Sequence, residues 1–191
     1  MSHHVYAFEP PERFVAGTVG APGERTFFLQ ARGGGRLISV ALEKVQVSLL
    51  AEKLEELLQE AHRRFGVDLT AETVTETTDN EPLDTPLDEE FRVGTLGLQF
   101  DVDTATVVIE AIAVGEEETE EREGELEEDE DDELITADRD RLRVRLTPAA
   151  TRAFIERAKR VVASGRPPCP LCGQPLDARG HLCPRHNGYR R

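Results

Sequence analysis

The chain has 191 residues, and its 38 acidic and 23 basic side chains give a formal net charge of −15. The segment 115–138 alone carries −14, from 15 acidic residues and one basic residue, whereas the other 167 residues carry only −1. A chain of this length can bury the core of one ordinary domain and carry a small appendage. The overall charge therefore describes a nearly neutral body with one acidic segment, and it does not exclude an anionic partner.

Membrane and disulfide-rich classes are disfavoured by simple patterns. The first residues, MSHHVYAFEPPERF, lack a basic stretch followed by an apolar one, so we expect no secretory signal. No apolar run approaches the roughly 18 residues that span a bilayer, so we expect no membrane contact. Cys169, Cys172 and Cys183 lie within 15 residues of one another. An odd, crowded set of cysteines is typical of metal ligation in a reducing cytoplasm.

Two similar segments, 14–20 (FVAGTVG) and 91–97 (FRVGTLG), share Phe, Gly, Thr and Gly at matched positions. Each is followed by a β-rich run and then by a run in which apolar residues alternate, as in a strand with one buried face. These runs are 25–31 and 37–42 in the first half, and 104–111 and 142–146 in the second. The repeated order indicates an internal duplication.

Each half ends in a predicted helix. From 45 to about 65, apolar residues recur at spacings of three and four, which is typical of an amphipathic helix. Thr147 is a good N-cap, and Pro148 suits the first position of a second helix that runs to about Ser164. Gly165 follows as a helix stop.

The sequence therefore predicts an α+β body over residues 1–164, made of two βββα units with a mainly antiparallel sheet and helices that cover its apolar faces. The units fall at about 5–65 and 90–164. A linker rich in Thr, Asp, Glu and Pro joins them at 70–90. The acidic loop 115–138 is inserted between the second and third strands of the second unit, where the first unit has a short Gly-rich turn.

The strongest chemical signal lies near the C-terminus. The Cys169-Pro-Leu-Cys172 turn presents two thiolates to one ion, and Cys183 supplies a third. Zn²⁺ takes four nitrogen or sulfur ligands in a tetrahedron. His186 would complete a C-x2-H knuckle with Cys183, whereas His181 would lie on the same side of an extended segment as Cys183. The spacing alone slightly favours His186.

A closed shell of four protein ligands leaves no position for water, so we expect a structural zinc and a zinc-ribbon-like module at 165–191. That module is too short to fold on an apolar core, and the metal would serve as its core. From 157 to 191 there are eight basic residues and one acidic residue, a surface that suits phosphate backbones or acidic protein surfaces. Tyr189 is the one aromatic residue nearby for base stacking, so we favour the acidic loop or a partner protein over nucleic acid.

The run 14–31 and the tail pattern at 169–189, CPLC followed by GHLCPR and NGY, resemble an uncharacterised actinobacterial family of unknown function. The similarity covers nearly the whole chain and is weakest in the acidic loop. The Gly-His-x-Cys-Pro-Arg-x-Asn-Gly-Tyr pattern of that family implies His181 as the fourth metal ligand. The resemblance supplies no catalytic residue. It also implies a genomic association with histidine-phosphatase-like and lipid-kinase-like proteins.

Motifs of common enzyme classes are missing from the sequence. There is no G-x-S-x-G nucleophile elbow and no phosphate-binding G-x-x-x-x-G-K-[ST] loop. The best candidates for ligand binding are Arg13, Thr18, Arg25 and Gln30, which belong to the family-like run and would line a groove.

These observations favour a non-catalytic, cytoplasmic zinc-binding protein that acts as a binding or adaptor protein for a protein partner. The first alternative is an enzyme whose anionic substrate lies between the two units, held by arginines such as Arg13 and Arg25. The second alternative is a zinc ribbon protein associated with nucleic acid.

Overall fold

The computed structural model describes residues 3–67, 79–115, 138–165, 169–172 and 183. Within these ranges the chain forms seven strands and two helices, which confirms the α+β class. The strands are β1 (Val5–Phe8), β2 (Arg13–Val19), β3 (Thr26–Gly33), β4 (Arg36–Leu42), β5 (Glu89–Asp101), β6 (Thr106–Ala113) and β7 (Arg141–Leu146), and the helices are α1 (Lys44–Phe65) and α2 (Pro148–Ala163). Most of the predicted acidic loop 115–138 and of the predicted module 165–191 lies outside the described residues.

All seven strands form one mixed sheet in the order β1-β7-β6-β5-β4-β3-β2. Four neighbouring pairs are antiparallel, as the sequence predicts for most of the sheet. The pairs β4–β5 and β1–β7 are parallel. The strands β2, β3 and β4 form an antiparallel meander that leads into α1, and β5, β6 and β7 form a second one that leads into α2. The two meanders meet where β4 lies beside β5.

The turns and caps agree with the sequence signals. Gly34 and Gly35 join β3 to β4 with φ angles of 58° and 74°, the left-handed backbone that a two-residue hairpin turn needs. Thr147 caps α2, since its hydroxyl oxygen accepts a hydrogen bond from the Ala150 amide at 3.2 Å. Gly66 ends α1 in the left-handed conformation.

The core lies between the sheet and the two helices, which pack against each other. Leu50 and Leu54 of α1 are almost fully buried. Phe154 of α2 stacks on Phe14 of β2, with 4.7 Å between the ring centroids. The second helix therefore follows β7 in the chain but reaches β2, at the opposite edge of the sheet.

The sheet curls strongly, because only residues 9–12 separate the edge strand β1 from the edge strand β2. The Arg36 side chain of β4 donates to the Ala7 carbonyl at 2.8 Å, and its guanidinium lies 4.9 Å from the centroid of the Phe8 ring. Phe8 is only 3 % exposed. The two edges of the sheet are therefore brought close to each other.

The described part of the linker between the halves lies on the outer face of β2 and β3. The sequence predicts one buried face for the run 37–42, with Val40 pointing inward, and Val40 is indeed buried. Ser39 and Ala41, which point to the other face, are buried as well. Ser39 lies below the linker, because Gln30 bridges its hydroxyl to Asp84.

Candidate metal centre and ligand-binding residues

The three cysteines come together as the sequence predicts. The sulfur atoms of Cys169, Cys172 and Cys183 lie within 4.8 Å of one another, and those of Cys169 and Cys183 are 3.9 Å apart. None of the three forms a disulfide, which would need about 2.05 Å between sulfurs. Two sulfurs that each lie about 2.3 Å from a tetrahedral ion are about 3.8 Å apart. The thiol cluster therefore has the spacing of ligands that share one metal ion.

The local backbone favours the thiolate form that a metal requires. Hydrogen bonds from the amides of Cys172 and Leu171 lower the pKa of the Cys169 thiol, because N–H donors stabilise a thiolate. Cys169 and Cys183 are buried, at 6 % and 8 % exposed. If these sulfurs were ionised, charges buried this close together would be costly without a positive ion among them. Sulfur donors of this kind suit zinc and other soft or borderline ions.

Both candidates for the fourth ligand, His181 and His186, lie outside the described residues. The choice between them stays a prediction, as does the identity of the metal. Cys169 and Cys172 could be found from the sequence because the C-x2-C spacing is a local signal, and Cys183 because it is the one other cysteine in the sequence.

Arg13, the first residue of β2, is held by the linker. Its Nε and Nη2 atoms donate to the Asp79 carboxylate at 2.7 and 3.0 Å, and its Nη1 atom lies 3.0 Å from the Asp84 carboxylate. The hydrogen bond from Arg13 lowers the pKa of Asp79, and the same bond raises the pKa of Arg13. This ion pair fastens the start of β2 to the linker.

Gln30, in the middle of β3, is 1 % exposed and engages the backbone of Asp84. Its Oε1 atom accepts from the Asp84 amide at 2.7 Å, while Nε2 donates to the Asp84 carbonyl and to the Ser39 hydroxyl, both at 3.0 Å. The amide side chain thus bonds both backbone groups of one linker residue, as a neighbouring strand would.

The other two predicted ligand-binding residues are placed differently. Arg25 donates from Nη1 to the carbonyl and the hydroxyl of Ser164, at 2.8 and 3.1 Å, and so contacts the end of α2. Thr18 is half-buried in β2 and pairs with Phe27 of β3. Both Arg13 and Gln30 therefore bond to the linker. The described contacts of Arg25 are with Ser164 and not with the linker.

Sequence reasoning counts Arg157 only as one charge of the basic tail, whereas the structure buries its side chain to 9 % exposure. Its Nε atom donates to the Ala16 carbonyl of β2 at 2.9 Å, and its Nη1 atom donates to the Asp79 carboxylate at 2.8 Å. Burial lowers the pKa of Arg157, and the Asp79 charge opposes that effect. A usable signal exists in the sequence, because Arg157 is three residues after Phe154 on the apolar stripe of α2.

A cleft of about 540 Å³ opens beside these arginines, between β2, α2 and the linker. The charged residues that line this cleft include both acidic and basic side chains. It is lined by Glu12, Arg13, Asp79, Glu156, Arg157 and Arg160, along with apolar residues that include Phe14 and Phe154. The guanidinium groups of Arg13, Arg157 and Arg160 each donate to the chain's own linker.

A family described as "Protein of unknown function (DUF3090)" matches residues 6–183. The chain belongs to this family. That result confirms the predicted membership of an uncharacterised family, while the actinobacterial origin stays a prediction. Comparison with curated proteins and with solved structures finds no match. Among the described residues, neither helix is long and apolar enough to cross a membrane.

Proposed function

We propose that this protein is a non-catalytic binding or adaptor protein whose C-terminal module is held together by a structural zinc ion. The 3.9 Å distance between the sulfurs of Cys169 and Cys183 carries this proposal, because it is the spacing of two ligands of one tetrahedral zinc. Reduced thiols in such a cluster suit a reducing compartment, the cytoplasm. With a fourth protein ligand the ion would have no open position, and its role would be structural.

We also propose that the body is a duplicated pair of βββα units. Two observations support this. Each half has a three-stranded antiparallel meander followed by a helix, and the similar segments 14–20 and 91–97 coincide with the first strand of each meander. A duplicated sheet with two helices gives the zinc module a rigid support from which to meet a protein partner.

Metal analysis of the purified full chain tests the zinc proposal. We expect about one zinc per chain, lost in Cys169→Ser. If His181 is the fourth ligand, His181→Ala lowers zinc occupancy and His186→Ala leaves it unchanged, so the two variants serve as matched controls. A chain that is metal-free and has a folded C-terminal segment would contradict the proposal. Loss of zinc in His186→Ala but not in His181→Ala would instead assign His186 as the fourth ligand.

An enzyme acting on an anionic substrate is the second candidate, and the cleft beside Arg13 and Arg157 is the observation that favours it. It ranks lower because both guanidinium groups already donate to Asp79, and because Glu12 and Glu156 add negative charge to the lining. Titration with inorganic phosphate checks it, since an anion site would bind phosphate at millimolar concentration or below.

A further inference from the structure

We infer that the outer face of β2 and β3, together with Arg157 of α2, is a recognition site for an extended acidic peptide. The chain's own residues 79–84 (Asp-Asn-Glu-Pro-Leu-Asp), called here the linker peptide, occupy it in this structure. A segment of the same chemistry from a partner protein binds there by displacing the linker peptide. This inference rests on the proposed binding role, but it does not depend on zinc.

The site holds the linker peptide in part by its backbone carbonyls. Arg157 donates to the carbonyls of Asp79 and Glu81, each at 2.7 Å. Arg13 donates to the carbonyls of Glu81 and Pro82, each at 3.0 Å. Every extended peptide presents such carbonyls, so these contacts give affinity without requiring one particular sequence.

Carboxylates at the two ends of the linker peptide supply the preference for acidic residues. The Asp79 carboxylate lies between Arg13 and Arg157, which donate to it at 2.7 to 3.0 Å. The Asp84 carboxylate contacts Arg13 at 3.0 Å and accepts two bonds from Arg32, both at 3.1 Å. Charge-assisted bonds of this kind are stronger than neutral ones, and arginine presents them in a fixed geometry.

One apolar contact sets the position of the peptide along the strand. A Cβ atom at Gly17 would lie 2.5 Å from the Cδ2 atom of Leu83, so the leucine occupies the space that a side chain would take. Pro82, just before it, has no N–H group to satisfy and favours an extended backbone. A leucine that follows proline is therefore the expected anchor of a partner peptide.

The linker peptide is held by side chains and not by the backbone hydrogen bonds of the sheet. It belongs to no helix or strand, and no backbone–backbone hydrogen bond joins it to another part of the described chain. If it left, however, the guanidinium groups of Arg13 and Arg157 would lose their hydrogen-bond partners in the linker peptide. Their side chains are only 11 % and 9 % exposed. Buried donors without partners are costly, so the site favours exchange for a similar peptide over simple opening.

Fluorescence anisotropy with a labelled peptide of residues 78–85 tests the inference. The proteins are the full chain and the full chain with Asp79→Asn and Leu83→Ser, which weaken the linker peptide and leave the site intact. We expect the weakened variant to bind at least about tenfold more tightly, because a competitor that occupies the site reduces apparent affinity. Adding Gly17→Val to that variant should abolish binding, whereas adding Gly97→Val, where the nearest atom to a new Cβ is 3.7 Å away, should not.

Circular dichroism and thermal melting establish that each variant is folded. If the weakened variant does not fold, a second variant is used in its place. It is the unsubstituted chain with a protease site inserted between residues 67 and 79. Cutting there leaves the linker peptide attached on one side only, and the labelled peptide is then expected to bind the cut protein more tightly than the uncut one.

Several results would overturn the inference. A folded weakened variant that binds no more tightly than the full chain would make the linker peptide a fixed part of the fold. Displacement of the label by inorganic phosphate as effective as by unlabelled peptide would make the site an anion site. A dimer of the full chain that Leu83→Ser abolishes would make a second copy the occupant. The proposed zinc function is tested separately, because peptide binding is expected to survive a chelator.

Discussion

At the scale of single residues, Asp101 shows how one ion pair makes stability depend on pH. Its carboxylate accepts from Arg145 at 2.7 Å and from the Thr104 amide at 3.2 Å. The bond from Arg145 is the main cause that lowers the pKa of Asp101 to about 2. The pKa of an aspartate in an unfolded chain is about 3.9. Its ionised form is therefore favoured by folding.

Because the folded pKa is the lower one, this contribution is present in full above about pH 4 and is lost as the pH falls toward 2. We expect Asp101→Asn to lower the free energy of unfolding at pH 7 and to change it little at pH 2. Urea denaturation at a series of pH values measures this. Asp103→Asn removes a carboxylate from the same turn and serves as the control. Parallel pH profiles for Asp101→Asn and the unsubstituted chain would contradict the prediction.

At the scale of elements, the start of α2 depends on Thr147. Its hydroxyl oxygen accepts from the Ala150 amide, one of the amides that have no partner within the helix. We expect Thr147→Ala to destabilise the protein by about 1 kcal/mol, measured by urea denaturation. Thr147→Ser retains the hydroxyl and should cost much less. An equal loss in both variants would show that packing of the threonine methyl, and not the cap, matters.

The same scale shows which elements a sequence can predict. Six strands and both helices follow from alternation, three-four spacing and caps, which are local signals. Local signals define their ends less well: β5 begins at Glu89, where it pairs with β4, and it ends at Asp101, because its pairing with β6 continues beyond the repeated motif. The sequence does not predict β1, since four residues give almost no alternation and its partner β7 lies far along the chain.

The candidate sites also differ in how well local sequence signals predict them. The cysteine cluster was predictable because two of its ligands belong to one short turn. The ring of contacts around the linker peptide was not, because Arg13, Gln30 and Arg157 come together only after the sheet and α2 have packed. The local sequence of Arg157 says that it lies near an apolar stripe. It does not say that carbonyls of residues 79 and 81 satisfy its donors.

At the scale of the whole molecule, the acidic segment carries most of the charge, and the described strand pairs all lie outside it. The pairing of β6 with β7 runs from Val107 opposite Leu146 to Ile112 opposite Arg141, and next to it the Ala113 amide donates to the Asp140 carbonyl at 2.8 Å. Replacing residues 116–137 by a Gly-Asn-Gly-Ser turn would change the net charge from −15 to −2. We expect the free energy of unfolding to stay the same or to rise slightly, because like charges repel in the compact state.

Thermal and urea unfolding of the shortened chain, at low and at high salt, measure this. Added salt should stabilise the full chain more than the shortened one, since screening relieves repulsion only where it exists. A large loss of stability in the shortened chain would mean that the acidic segment packs against the body.

The pairing of β1 with β7 also fixes when the protein can finish folding. Val5 lies opposite Arg141, so β1 cannot pair until a segment 136 residues further along the chain has been synthesised. Contacts this distant in the chain slow folding, because a large loop must close before they form. On the ribosome, the meander from β2 to β4 can assemble while β1 remains unpaired at one end. Truncation before β7 would therefore leave β1 without a partner and one side of β6 unpaired, and unpaired strand edges of this kind promote aggregation.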